Sequence, residues 1–119
     1  VLARRDIPGK PGKAFAPMAG LETQVPELLA TIQREMLERA RAFRDAHTWE
    51  PRTFDEFADV VTKGFARAPW CGDADCEATI AEKTKASNRC IPFEQPDSPG
   101  LCIHCGKPAR EVALFARSY

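Results

Sequence analysis

The sequence predicts an α+β fold, in which one long helix precedes a small domain of short helices and antiparallel strands. Residues 25–46 repeat apolar side chains at the spacing of an amphipathic helix. After residue 52, short helical and strand-like segments alternate between turn residues. Four cysteines in two close pairs fall within this second part. From these three observations we predict a helical first part, followed by a compact second part that the four cysteines hold together.

The composition excludes several classes of protein. The chain has 119 residues, with 17 lysines and arginines against 17 acidic residues, so no net charge draws it to nucleic acid or to a membrane surface. No apolar run approaches the roughly 20 residues of a membrane-spanning helix, and no signal pattern opens the chain. We therefore expect a cytoplasmic protein without membrane contacts. Because the chain opens at Val1 rather than at Met, we also expect a fragment of a longer protein.

The first part is expected to contain a strand, a loop and the long helix. Residues 1–6 read as a strand, and residues 7–21 as a loop rich in glycine and proline. The helix is predicted over 25–46, with Pro26 and Glu27 suited to its first turn. Its arginines alternate with acids, which favours a solvated face laced with ion pairs over an RNA-binding helix.

The second part is expected to contain two helices and three strands. Thr53, with Glu56 three residues later, predicts a capping box that begins a helix, and Gly64 is its expected stop. Residues 65–70 read as a strand, and Asp73 is the expected cap of a helix that reaches about Lys85. Two further strands are predicted over 87–93 and 111–117.

The cysteines are the clearest functional signal. Cys71 and Cys76 form a C-x4-C turn that leads into a helix, and Cys102 and Cys105 form a C-x2-C turn followed by Gly106. Two such pairs about 25 residues apart provide the four soft ligands that Zn²⁺ takes in a tetrahedron, with sulfur at about 2.3 Å. Protein ligands fill all four positions, so we predict a structural zinc site rather than a catalytic one.

Two neighbouring residues are assigned other roles. Cys90 lies in an apolar context and is expected to be a small buried side chain, not a ligand. His104 stands between the knuckle cysteines, and its side chain is expected to point away from the metal towards the surface. No set of residues typical of a catalytic centre or a nucleotide-binding loop occurs in the sequence.

Several motifs follow one another along nearly the whole chain. They are Val1-Leu2-Ala3-Arg4-Arg5-Asp6; Leu28-Leu29 with Ile32-Gln33; Ala68-Pro69-Trp70-Cys71-Gly72; Cys76-Glu77; Lys83-Thr84-Lys85-Ala86; Arg89-Cys90-Ile91-Pro92-Phe93; Cys102-Ile103-His104-Cys105-Gly106; and Leu114-Phe115-Ala116-Arg117-Ser118-Tyr119. In this order they resemble the C-terminal end of prolyl-tRNA synthetase, in the form shared by archaea, eukaryotes and some bacteria.

The resemblance implies a division near residue 48. Residues 1–48 would end an α/β anticodon-binding domain, and residues 49–119 would form the zinc-containing C-terminal domain. The family's zinc ligands correspond to the same four cysteines, and its terminal carboxylate, here on Tyr119, lies towards the catalytic domain. The whole enzyme of this family is a class II synthetase and a homodimer through its catalytic domain. It activates proline with ATP and Mg²⁺ and charges tRNA(Pro), whereas this fragment alone is expected to be inactive.

Two other hypotheses remain open at the level of sequence. The first is a freestanding zinc-knuckle module that binds RNA, with Phe93, Phe115, Tyr119 and Arg117 as a stacking platform. The second is an exported domain in which the cysteines form disulfides. The balanced charge argues against the first hypothesis, and the lack of a signal pattern argues against the second.

Overall fold

The computed structural model describes residues 1–118, and the chain divides into two compact units, Val1–Ala46 and His47–Tyr119. The proposed role of Tyr119 therefore concerns a residue outside the described part of the chain. Helices and a mixed sheet together confirm the predicted α+β class. Among the described residues, no helix is both long enough and apolar enough to cross a membrane.

The first unit consists of one long helix and a short hairpin-like segment. Strands β1 (Leu2–Ala3) and β2 (Lys13–Ala14) pair antiparallel, on either side of a 3₁₀ turn at Lys10–Gly12, and helix α1 spans Leu21–Ala46. The predicted strand over residues 1–6 is thus only two residues long. Gly12 is needed where the chain folds back, because a Cβ there would lie 2.1 Å from the carbonyl oxygen of Ile7.

Helix α1 begins four residues before its predicted start at Val25. The carbonyl oxygen of Gly20 accepts the N–H groups of Thr23 and Gln24 at 3.2 and 3.0 Å, which closes the first turn. The placement of Pro26 in the first turn was therefore wrong, and this proline lies inside the helix. It is tolerated there at the expense of one backbone hydrogen bond, since proline has no N–H.

An ion-pair network holds the start of the first unit against α1. Arg4 donates to Asp6 at 2.7 Å and also to Glu35, and Arg39 donates to Asp6 at 3.1 Å. The side chain of Asp6 is only 5% exposed. Hydrogen bonds from Arg4 hold the pKa of the Asp6 carboxyl well below its usual range. These ion pairs join α1 to the residues before it, whereas the pairs predicted from the sequence lay among the charges of the helix itself.

The second unit is built on a four-stranded sheet with the order β3-β4-β6-β5. Its strands are β3 (Thr48–Trp49), β4 (Phe65–Trp70), β5 (Ala86–Cys90) and β6 (Glu111–Arg117). Strand β6 is central and antiparallel to both β4 and β5, whereas β3 is parallel to β4. The predicted strands over 65–70 and 111–117 are therefore confirmed, the third strand is shorter than its prediction, and β3 was not predicted.

Two helices accompany the sheet. Helix α2 spans Phe54–Val60, and the Thr53 hydroxyl accepts the N–H of Glu56 at 3.2 Å, as the capping signal predicts. The helix ends at Val60, earlier than its expected stop, and the N–H of Gly64 closes the turn that follows by donating to the carbonyl of Val60 at 3.1 Å. Gly64 also allows a close approach, because a Cβ there would lie 2.5 Å from the carbonyl oxygen of His47. Helix α3 spans Ala74–Thr84 with Asp73 as its N-cap, which confirms that prediction.

The core of the second unit lies between these helices and the sheet. Phe57, Ile80 and Phe115 are its largest fully buried side chains. The Phe57 and Phe115 rings meet edge to face, with centroids 5.3 Å apart. Because Phe115 is completely buried, it cannot stack on a base, so it cannot belong to the stacking platform of the RNA-binding hypothesis.

Candidate metal centre

The four paired cysteines meet at one end of the second unit. Cys71 directly follows β4, and Cys76 lies in the first turn of α3. Cys102 and Cys105 belong to the turn that precedes β6. Two segments about 25 residues apart in sequence, 71–76 and 102–105, therefore converge on one point, as the spacing of the two pairs predicted.

The sulfur atoms have the separations that a tetrahedral metal site requires. All four lie within 4.8 Å of one another, with 3.8 Å between Cys76 and Cys102 and 3.7 Å between Cys71 and Cys105. A regular tetrahedron with metal–sulfur bonds of about 2.3 Å has sulfur–sulfur edges of about 3.8 Å. A disulfide would bring two sulfurs to about 2.0 Å, and within residues 1–118 no cysteine forms one. The cluster could thus hold a metal ion.

Local backbone structure aims the first pair of thiols. Gly72 adopts a φ of 79°, which turns the chain between the end of β4 and the start of α3. The Asp73 carboxylate then accepts the N–H groups of Asp75 and Cys76 at 2.8 and 3.3 Å. This cap fixes the first turn of α3, so that Cys76 is presented from a helix N-terminus, where the helix dipole favours a thiolate.

The second pair lies in a tight turn that is attached to the sheet. The N–H of Gly106 donates to the carbonyl of Cys102 at 3.0 Å, and the N–H of Cys102 donates to the carbonyl of Lys107 at 2.8 Å. Gly106 has a φ of 69°, a conformation that glycine adopts without strain. The N–H of Ile103 donates to the carbonyl of Pro69 at 3.0 Å, which joins the turn to β4. These backbone hydrogen bonds hold the turn in a fixed position beside Cys71.

The site's electrostatics favour one thiolate before any metal binds. Burial raises the pKa of the Cys102 thiol, but backbone N–H groups of Cys105, His104 and Cys71 outweigh that effect and lower it to about 7. Burial and the neighbouring thiols raise the pKa of Cys76. Four thiols this close lose their protons unequally, since each new negative charge opposes the next. A bound divalent cation would favour the thiolate form at all four positions.

Two residues near the cluster differ from their predictions. Cys90 is exposed rather than buried, because it lies at the end of β5 beyond an irregularity in the pairing of β5 with β6. It is not part of the four-sulfur cluster, as expected. His104 does not point away from the cluster, since its Nδ1 lies 3.4 Å from the sulfur of Cys76. The sequence alone did not suggest this contact.

The fold and the cluster together define a small α+β domain whose four clustered cysteines could hold a metal ion. A family model described as "Prolyl-tRNA synthetase, C-terminal" matches residues 54–119. The chain belongs to this family of prolyl-tRNA synthetase C-terminal domains, which confirms the resemblance seen in the sequence.

Individual relatives extend the similarity beyond the matched domain. The chain is 48% identical to a proline–tRNA ligase from Chloroflexus aurantiacus over 118 residues, which cover 99% of the chain and 25% of that relative. It is 46% identical to one from Clostridium novyi over 121 residues, again 25% of the relative. The chain thus spans about a quarter of the length of the curated relatives it matches.

A solved structure has the same fold. A prolyl-tRNA synthetase from Cryptosporidium parvum, determined in complex with L-proline and AMP, superposes with a TM-score of 0.76 at 32% identity. The match covers 87% of this chain and 23% of the solved one. At this identity and score, the similarity concerns both fold and sequence, and it reaches into the first unit as well as the second.

Proposed function

We propose that the chain is the C-terminal part of a proline–tRNA ligase, a class II enzyme that activates proline with ATP and Mg²⁺ and charges tRNA(Pro). The observation that carries the proposal is the similarity to proline–tRNA ligases along almost all of the chain. In this proposal the complete enzyme is a cytoplasmic homodimer through a catalytic domain that lies outside these residues. The second unit supports the enzyme's structure, and the chemistry takes place elsewhere.

The four cysteines are proposed to hold one structural zinc ion. Cys71, Cys76, Cys102 and Cys105 supply four sulfurs at tetrahedral separations, and the similar softness of thiolate and Zn²⁺ favours this metal. Four protein ligands leave no position for water or substrate, so the ion would contribute folding free energy rather than Lewis-acid chemistry. It would tie the end of β4, the start of α3 and the knuckle turn to one another.

The two halves of the chain are proposed to belong to different domains of the enzyme. Residues 1–48 would end the anticodon-binding domain, and residues 49–119 would be the zinc-containing C-terminal domain. The division into compact units between Ala46 and His47 supports a boundary in this region. The carboxylate of Tyr119 would lie towards the catalytic domain of the complete enzyme.

A chimeric enzyme tests this function. The C-terminal quarter of the Chloroflexus aurantiacus ligase would be replaced by this chain, and charging of tRNA(Pro) would be measured. We expect the truncated ligase to charge poorly and the chimera to recover activity. The isolated chain should bind zinc and catalyse no proline-dependent pyrophosphate exchange. Exchange by the pure chain, or a folded chimera without charging activity, would contradict the proposal.

A further inference from the structure

We propose that His104 is a positioning residue of the metal site: its Nδ1–H donates to the sulfur of Cys76, and Lys83 fixes the imidazole tautomer that makes this possible. Neither residue is a metal ligand in this proposal. The inference rests on the proposed four-cysteine site and adds a side-chain hydrogen bond that supports one of its ligands.

The geometry places the imidazole between a thiol and an ammonium group. Nδ1 of His104 lies 3.4 Å from the sulfur of Cys76, and Nε2 lies 3.1 Å from Nζ of Lys83. The imidazole also packs edge to face on the Phe54 ring, with centroids 5.0 Å apart. Nζ of Lys83 lies 5.6 Å from the centroid of the same ring. Phe54 therefore supports both polar groups from one side.

The contact with Lys83 determines where the imidazole proton lies. A lysine ammonium has three N–H donors and no lone pair, so the nitrogen 3.1 Å from it must accept a hydrogen bond. Nε2 is then unprotonated, and the single proton of the neutral ring lies on Nδ1. That proton faces the sulfur of Cys76, and a protonated nitrogen cannot ligate a metal.

Helix α3 places Cys76 and Lys83 on the same side, where both can contact His104. Cys76 and Lys83 are seven residues apart, which is about two helical turns, so both project from the same face of α3. Ile80, on that face between them, is completely buried and fixes the helix against the core. His104 comes from the knuckle turn and lies between the two α3 side chains.

The hydrogen bond has a physical consequence for a bound ion. A divalent cation with four thiolates carries a net charge of −2, and Cys76 is only 9% exposed, so water solvates its share of that charge poorly. Backbone N–H groups provide this stabilisation to Cys102. His104 provides it to Cys76 through a side chain, and the nearby positive charge of Lys83 adds to it. Such supporting contacts typically change metal affinity by about 10- to 100-fold.

Release of zinc to a chelator, measured on the 119-residue chain, tests the proposal. His104→Phe keeps an aromatic ring beside Phe54 but removes the donor, and it should release zinc about 10-fold faster or more. His104→Asn places an amide N–H near the position of Nδ1 and should restore much of the retention. Lys83→Met should have a smaller effect than His104→Phe. Lys107→Met removes an equal charge from the exposed end of the knuckle and should release zinc at the parent rate.

Nitrogen NMR of the zinc-loaded parent chain examines the tautomer without any substitution. We expect the proton of His104 on Nδ1, and a mixture of both tautomers in Lys83→Met. A proton on Nε2 in the parent, or parent-like zinc release by His104→Phe, would overturn this inference and leave the four-cysteine site intact. A parent chain that binds no zinc would overturn both proposals.

Discussion

The two units of this chain differ in how completely their apolar side chains are buried. In the second unit, Phe57, Ile80 and Phe115 are fully enclosed, and Cys102 of the four-cysteine cluster belongs to the same core. In the first unit, all of whose residues the structure describes, α1 contains no buried residue. Apolar side chains of α1 such as Leu29 and Phe43 are 60% and 63% exposed. The second unit thus contains the means of its own stability, whereas the first depends on an ion-pair network and on helix formation.

The largest expected effect is the loss of the second unit when one of the four proposed metal ligands is removed. Cys102→Ser takes one sulfur from the cluster, and a structural zinc site supplies on the order of 10 kcal/mol of folding free energy. Near-UV circular dichroism of the buried Trp70 should therefore disappear, and the far-UV helical signal of α1 should remain. Cys90→Ser, at the exposed thiol, is the matched control and should leave both signals unchanged. A full Trp70 signal in Cys102→Ser would contradict the proposed dependence on metal.

A cavity in the core should weaken the second unit without removing its metal. Phe57→Ala deletes a fully buried ring that packs on Phe115, and it should lower the free energy of unfolding by about 3–5 kcal/mol. Phe93→Ala changes a fully exposed ring and should alter it by less than about 0.5 kcal/mol. Denaturant unfolding of the zinc-loaded proteins would measure both. Equal losses for the two variants would show that the ring contacts of the core contribute little.

A smaller effect is expected at the cap of α3. Asp73→Ala removes the acceptor for the N–H groups of Asp75 and Cys76, and it should lower the free energy of unfolding by about 1 kcal/mol. Because this cap also positions Cys76, zinc release should become faster in the same variant. Glu82→Ala, on an exposed position of the last turn of α3, is the control and should change neither quantity appreciably. Unchanged zinc release in Asp73→Ala would show that the cap does not contribute to zinc retention.

The smallest effect concerns the first unit and depends on pH. The pKa of Asp6 is lower in the folded state than its ordinary value of 3.8, so its carboxylate stabilises this unit above about pH 4. That contribution is lost as the pH falls further, through the folded pKa. The α1 helical signal should decline in this acid range. Asp6→Asn lacks the carboxylate at every pH. Its α1 helical signal should therefore be lower than that of the parent at neutral pH and should show no further decline in acid. A variant whose acid response equals that of the parent would show that the network does not support the helix.

The sequence predicted those features that repeat or that lie close together along the chain. The helical period identified α1, and the caps at Thr53 and Asp73 located two further helices. The spacing of the two cysteine pairs identified all four members of the sulfur cluster. Each of these signals needs only a few neighbouring residues to be recognised.

The features that the sequence missed depend on distant partners. Strand β3 has two residues, too few for any periodic pattern, and exists only through its pairing with β4. The amphipathic stripe of α1 located the helix but not the extent of its burial, because burial requires a surface to pack on, and no side chain of α1 is fully buried here. The contact of His104 with Cys76 depends on Phe54 and Lys83, which come from two different helices. Spacing within the knuckle alone cannot reveal it.

Counting zinc and reactive thiols in one native sample examines the metal centre most directly. We expect one zinc ion per chain and one rapidly modified thiol, that of the exposed Cys90, with all five cysteines reacting once a chelator and denaturant are added. Cys105 makes this a demanding test, because it is also exposed and only a bound metal would protect it. A native chain without zinc, in which Cys105 reacts as fast as Cys90, would contradict the proposed four-cysteine zinc site.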